Sequence, residues 1–100
     1  MIANITIPAD GVASFCRRHH IRKLSLFGSV LRNDFRSDSD VDVLVEYEPG
    51  YVPGFIGLSP IRRELSRILG REVDMRTLAS LSDYFRDDVE MNAVVIYERK

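Results

Sequence analysis

The sequence predicts an α+β fold, a mixed sheet of about four strands with helices packed on it. Three observations lead there. Apolar residues recur at helical spacing in two stretches: Val12, Phe15, Cys16 and His19, then Leu58, Ile61, Leu65, Ile68 and Leu69. Valines recur at every second position from Val41 to Val45, with Asp42, Leu44 and Glu46 between and after them, the period of a strand. Helical and strand patterns also alternate along the chain, and such elements bury their apolar sides against each other.

Taken in order, residues from about Pro8 to His20 read as a first helix, with Pro8 near its start, where a missing N–H costs nothing. Leu24 to Phe27 is a short strand stopped by Gly28. Ser29 to about Asn33 forms a short helix with Ser29 as its N-cap. A polar segment leads into the strand Val41 to Tyr47. Pro49, Gly50, Pro53, Gly54 and Gly57 then make a loop. The next helix carries Leu58 to Leu69, and Gly70 sits at its C-terminal cap. Glu72 to Thr77 is a strand. Ser82 caps a last helix bearing Tyr84, Phe85, Val89 and Met91, and Val94 to Tyr97 closes as a strand. One domain over residues 1–100 is expected.

Composition removes several classes. At 45% hydrophobic and 29% charged, the chain reads as a globular protein rather than a disordered one. Its apolar runs fall far short of the ~20 residues that span a bilayer, and no secretory signal opens it, so no membrane role is expected. The single cysteine, Cys16, fits a reducing cytosol, and a cytoplasmic location is the expectation. A net charge of -1 argues against nucleic-acid binding by bulk charge, and no direct nucleic-acid contact is expected. Twelve of the 14 basic residues are arginine, the side chain suited to forked contacts with phosphate or carboxylate.

The chemistry gathers on carboxylates. Alternation along the strand at Val41 sends Val41, Val43 and Val45 to one face and Asp40, Asp42, Leu44 and Glu46 to the other. Around Asp74, Val73 and Met75 form the apolar set, so Asp74 faces away from them and can join Asp40 and Asp42 if the strands are neighbours. Three clustered carboxylates repel unless cations fill the gap, and Mg2+, completed by triphosphate oxygens and water, suits such a set. A two-ion version would stabilise the attacking and leaving oxygens of a phosphoryl-type transfer. Taken alone, an Asp-x-Asp pair reads more readily as a solvated turn. A calcium loop starting at Asp38 fails, because Val43 and Pro49 stand where it needs glycine and glutamate.

Gly28-Ser29 changes the balance. A glycine lets the backbone approach a phosphate closely, and N–H groups opening a helix supply donors. Ser29 adds a hydroxyl and Arg32 a forked cation. Gly28-Ser29, ten residues, Asp40-Val41-Asp42 and the later Asp74 together resemble the signature of the DNA polymerase beta-like nucleotidyltransferase superfamily. The surrounding text, Leu26 to Arg32 and Asp38 to Val45, is similar to the minimal nucleotidyltransferase branch, which includes MntA-type antitoxins.

That resemblance implies a nucleotidyltransferase core and a role for each matching residue. Asp40 and Asp42 would bind the metal, expected as two Mg2+ ions, and Asp74 would complete the site and help activate an acceptor hydroxyl. Gly28 and Ser29 would hold the triphosphate of ATP, with Arg32 as a further phosphate contact. The core occupies almost the whole chain, so the acceptor surface is expected from another protein. In the minimal branch that partner is a HEPN-family RNase toxin, held in a hetero-oligomer and silenced by AMP placed on a tyrosine. Neutralisation by binding alone is the alternative, and nucleotidylation of a small molecule a third reading. His19, His20 and Cys16, on or beside an apolar helix face, read as structural. Ser29 lacks the setting of a hydrolase nucleophile.

Overall fold

The computed structural model describes residues 5, 7–31, 39–51, 55–77, 87, 89 and 91–99. Helix α1 (Ala9–Arg18) leads into β1 (Ile21–Phe27), and a short 3-10 helix (Gly28–Leu31) follows. Then come β2 (Val41–Tyr47), α2 (Phe55–Leu69), β3 (Val73–Arg76) and β4 (Val94–Glu98). The strands form one mixed sheet in the order β3-β2-β1-β4. β1 runs antiparallel to β2 and β4, while β2 and β3 are parallel and joined through α2. This is the α+β architecture expected from the sequence.

One core sits on one face of the sheet. Val12, Phe15 and Cys16 of α1 and Ile61, Leu65 and Leu69 of α2 pack with Leu24, Leu26, Val41, Val43, Val45 and Val73 in one buried cluster. The valine face of β2 therefore meets both helices. Its opposite face carries Asp42, Leu44 and Glu46. Leu44 and its register partner Ser25 are also buried, on the side away from that cluster.

Local chemistry sets the boundaries. Pro8 is the N-cap of α1 and accepts a hydrogen bond from the Val12 N–H at 2.9 Å, while Asp10 and Arg17–Arg18 oppose the helix dipole at its two ends. His20 takes a left-handed φ of 56° and stacks on Tyr51 with ring centroids 3.8 Å apart, turning the chain into β1. β1 starts three residues before the expected Leu24. A register shift between Ile21 and Lys23 lets both Ile21 and Leu24 reach the core at a spacing that period two does not allow.

α2 also starts earlier than Leu58, and it takes in Gly57 and Pro60. Both disfavour a helix interior, and Pro60 withholds one backbone donor from Ile56. Burial of Ile61, Leu65 and Leu69 along one stripe outweighs that loss. At the other end Gly70, with φ of 70°, closes the helix as expected, and the Arg71 N–H donates to the Ser66 carbonyl at 3.1 Å. Ser29 lies inside the 3-10 helix, which begins at Gly28, rather than capping it. Asp87, Val89, Met91 and Asn92 are helical in the region of the expected last helix. Its cap Ser82, with Tyr84 and Phe85, lies outside the described residues.

Candidate active site

Strand directions bring Gly28, Asp40, Asp42 and Asp74 to one end of the sheet. β1 is antiparallel to β2, with Phe27 opposite Asp42, so Gly28 emerges from β1 where β2 begins. β3 is parallel to β2 and starts at the same end, with Val73 opposite Val41. Asp42 and Asp74 are direct register partners on these neighbouring strands. Neighbouring strands lie ~4.8 Å apart, and partners in register point to the same face, here the face away from the core. Asp40 stands just before β2, exposed, two residues along from Asp42.

Gly28 is fitted to this arrangement twice. Its φ of 75° lies in the left-handed region, where a side chain is strained. A Cβ built on it would run into the Asp42 carboxylate, touching an oxygen and lying 3.2 Å from Cγ. The turn and the acidic strand are therefore packed backbone against carboxylate. The side chain of Ser29 and all of Arg32 lie outside the described residues.

One residue escaped the sequence reading. Arg76 follows Asp74 by two positions, so it shares its face of β3. Its Nε donates to both Asp74 carboxylate oxygens at 3.3 Å and its Nη2 to Oδ2 at 3.1 Å. These bonds, then the charge of Asp74, and to a lesser degree that of Asp42, hold the guanidinium more firmly protonated than usual. Arg76 thus supplies the positive charge that two adjacent carboxylates require. The period-two spacing was the available signal.

These donors suit a hard cation. Carboxylate oxygens on a rigid sheet end can serve Mg2+, which is commonly held by one or two carboxylates with substrate phosphates completing the shell. Among the described residues no three histidine, cysteine or carboxylate side chains converge to hold an ion by themselves. Asp42 and Asp74 are paired, but Asp40 does not converge on them as the third member of the carboxylate set expected from the sequence.

Other reactive side chains are engaged elsewhere. Cys16 is buried in the core, and burial pushes its thiol up to about 12, so it stays protonated and is no nucleophile. His19 Nε2 lies 2.8 Å from Glu64 and its ring packs on Phe15, which ties α1 to α2. Among the described residues no helix is long and apolar enough to cross a membrane.

A mixed sheet that pairs aspartates across parallel strands beside a left-handed glycine turn has the form of a nucleotidyl-transfer core. The model of the nucleotidyltransferase domain family matches residues 10–96, and the chain belongs to that family and is a nucleotidyltransferase. A candidate protein adenylyltransferase of Methanocaldococcus jannaschii, MJ0435, is 35% identical over 77 residues, covering 77% of this chain and 81% of its own length. A solved candidate minimal nucleotidyltransferase superposes with a TM-score of 0.70 at 32% identity, covering 86% of each chain. The fold also matches a structure of a tri-AMPylated Shewanella oneidensis HEPN toxin in complex with an MNT antitoxin. There the TM-score is 0.64 at 19% identity, over 91% of this chain and 70% of the other.

Proposed function

We propose that this chain is the antitoxin of a HEPN toxin–antitoxin pair, transferring AMP from ATP to a tyrosine of its partner RNase toxin with Mg2+. The observation that carries the reading is the register pairing of Asp42 with Asp74 beside Gly28. It gives two carboxylates on one face, next to a turn whose backbone a phosphate can approach. The AMPylated toxin in the similar complex supports the acceptor class.

Each residue then has a task. Asp40 and Asp42 hold the metal, and Asp74 completes that site. Gly28 and Ser29 seat the triphosphate through backbone N–H groups, with Arg32 as a further cation. The tyrosine oxygen attacks the α-phosphorus in line, and its proton passes to Asp74. The bond from the α-phosphorus to the bridging oxygen breaks, and pyrophosphate leaves with that electron pair. When bound, Mg2+ would neutralise the charge gathering on the phosphate oxygens. Positioning on a rigid sheet supplies much of the rest.

The test is direct. The protein is incubated with α-labelled ATP, Mg2+ and the product of its neighbouring gene. Label on a tyrosine of the neighbour, lost with Asp42→Asn, is the expected result. Neutralisation of the neighbour without label would instead establish an antitoxin that acts by binding alone.

A further inference from the structure

Beside Asp40, on the side of β3 and α2, opens a groove of about 830 Å³. Its wall is one face of α2 and the turn that follows, carrying Arg62, Arg63, Arg67 and Arg71, and its rim carries Asp40 and Glu72. Among the described lining residues four guanidiniums face two carboxylates, in a chain whose net charge is -1. Arg62 spends part of its charge on Glu72, at 3.4 Å. Arg63 and Arg67 are exposed and have no ion-pair partner among the described residues. Two such arginines on neighbouring turns of one helix face, in a chain whose net charge is -1, form a local basic patch suited to recognition.

We infer that this groove docks an acidic, extended segment of the protein acceptor and so delivers the acceptor hydroxyl to Asp40. The inference rests on two parts of the proposed function, that the acceptor is a protein and that the triphosphate sits at Gly28. Position argues for the acceptor rather than the nucleotide. The sheet order places β2 between β1 and β3, so Gly28 lies on one side of Asp40 and the groove on the other. In-line transfer puts the attacking oxygen opposite the leaving pyrophosphate. With the triphosphate seated at Gly28, the attacker arrives from the groove side.

Spacing and chemistry select the partner's form. Arg63 and Arg67 stand four residues apart on the helical wall, a step of ~6 Å. Side chains at alternate positions of an extended peptide are ~6.7 Å apart, so acidic residues at every second position keep pace with them. Guanidinium and carboxylate match as forked pairs. A nucleic-acid strand fits less well. Among the described residues the groove has no aromatic wall on which bases could stack, and Asp40 and Glu72 would repel a continuous phosphodiester.

The test uses the full chain and a fluorescein-labelled (Glu-Gly)4 peptide, read by anisotropy at low salt, with (Gln-Gly)4 and a U10 RNA as comparison probes. The acidic peptide should bind, the glutamine peptide should not, and Arg63→Gln/Arg67→Gln should weaken binding about tenfold or more at unchanged Tm. The same double variant should bind MgATP as the unaltered protein does. Three results would overturn the inference: no binding of the acidic peptide, binding indifferent to the double substitution, or tighter binding of U10 than of peptide. Loss of MgATP affinity in the variant would also overturn it, making the groove a triphosphate site. None of these readouts depends on AMP transfer, so failure of the labelling experiment is a separate result.

Discussion

Gly28 and Asp42 are packed so closely that a methyl group on the first would displace the carboxylate of the second. The glycine also holds a φ of 75°. Gly28→Ala therefore meets two costs of different kinds. The left-handed backbone costs an alanine ~1–2 kcal/mol, which in a domain of this size lowers Tm by roughly 4–16 °C. Displacement of Asp42 should cost about 100-fold in transfer rate, the loss expected for ångström-scale misplacement of a reacting group. Rates taken well below the new Tm separate the two effects. Wild-type rate in a destabilised but folded variant would show that Asp42 tolerates the shift.

Arg76 and Asp74 lead to a prediction about metal. The guanidinium bonds both oxygens of a carboxylate that a cation would also use. Arg76→Gln removes that competitor. Because both side chains are near half exposed, the pair itself is worth only about 0–1 kcal/mol, and Tm without Mg2+ should fall slightly. The rise of Tm with added Mg2+ should become steeper, because ligand binding to the folded state stabilises it as RT ln(1 + [L]/Kd). Tm measured across an Mg2+ series checks this. Parallel curves for the variant and the unaltered protein would mean that Arg76 and the ion do not compete.

How far the sequence could be read depended on whether a local period survived tertiary packing. Val41 to Tyr47 keeps the period of a strand, so its valine face and the side of Asp42 were legible, while the burial of Leu44 and the pairing of Asp42 with Asp74 came only with the strand neighbours. β1 breaks period two at its bulge, and Ile21 was lost to the preceding turn. α2 begins at Phe55, so the helix takes in Gly57, which local propensity had assigned to the preceding loop. Arg76 stood outside the cation-binding pattern because it is itself the cation that balances Asp74. Gly28 was chosen for phosphate approach, and its contact with Asp42 depends on a strand register that spacing alone does not contain.

Glu64 gives a prediction with a defined pH window. Hydrogen bonds from Arg18 and then His19 hold its carboxyl below the ordinary value of 4.5, across the seam between α1 and α2. A depressed carboxylate stabilises the fold in full above its unfolded value, and the contribution fades as pH falls through the folded one. Glu64→Gln should therefore lose about 0.2–1 kcal/mol at pH 7. The gap to the unaltered protein should close as pH drops below 4.5. Urea unfolding at pH 7, 5 and 3.5 measures it. A gap that stays constant over that range would mean that the loss comes from packing, not from the charge.

Cys16 offers a readout of the core. The thiol lies fully buried where α1 meets the sheet, and burial, opposed only weakly by Arg17, lifts it from 9.0 to about 12. The thiolate is the form that attacks a disulfide reagent and expels its other half as a thiolate, so at pH 8 the folded protein should resist labelling on the timescale of minutes, with the rate set by opening of the core. Urea below the unfolding midpoint should accelerate labelling in step with the fall in stability. The sign of the linkage adds a second check. A thiol raised in the folded state stabilises it in full below pH 9.0, and that contribution is lost as pH climbs toward about 12. Cys16→Ala removes a small buried side chain and should cost stability at pH 7, yet it should lose less than the unaltered protein between pH 9 and 11. Rapid labelling that ignores urea would place the thiol at the surface and contradict the packing of α1 on β1.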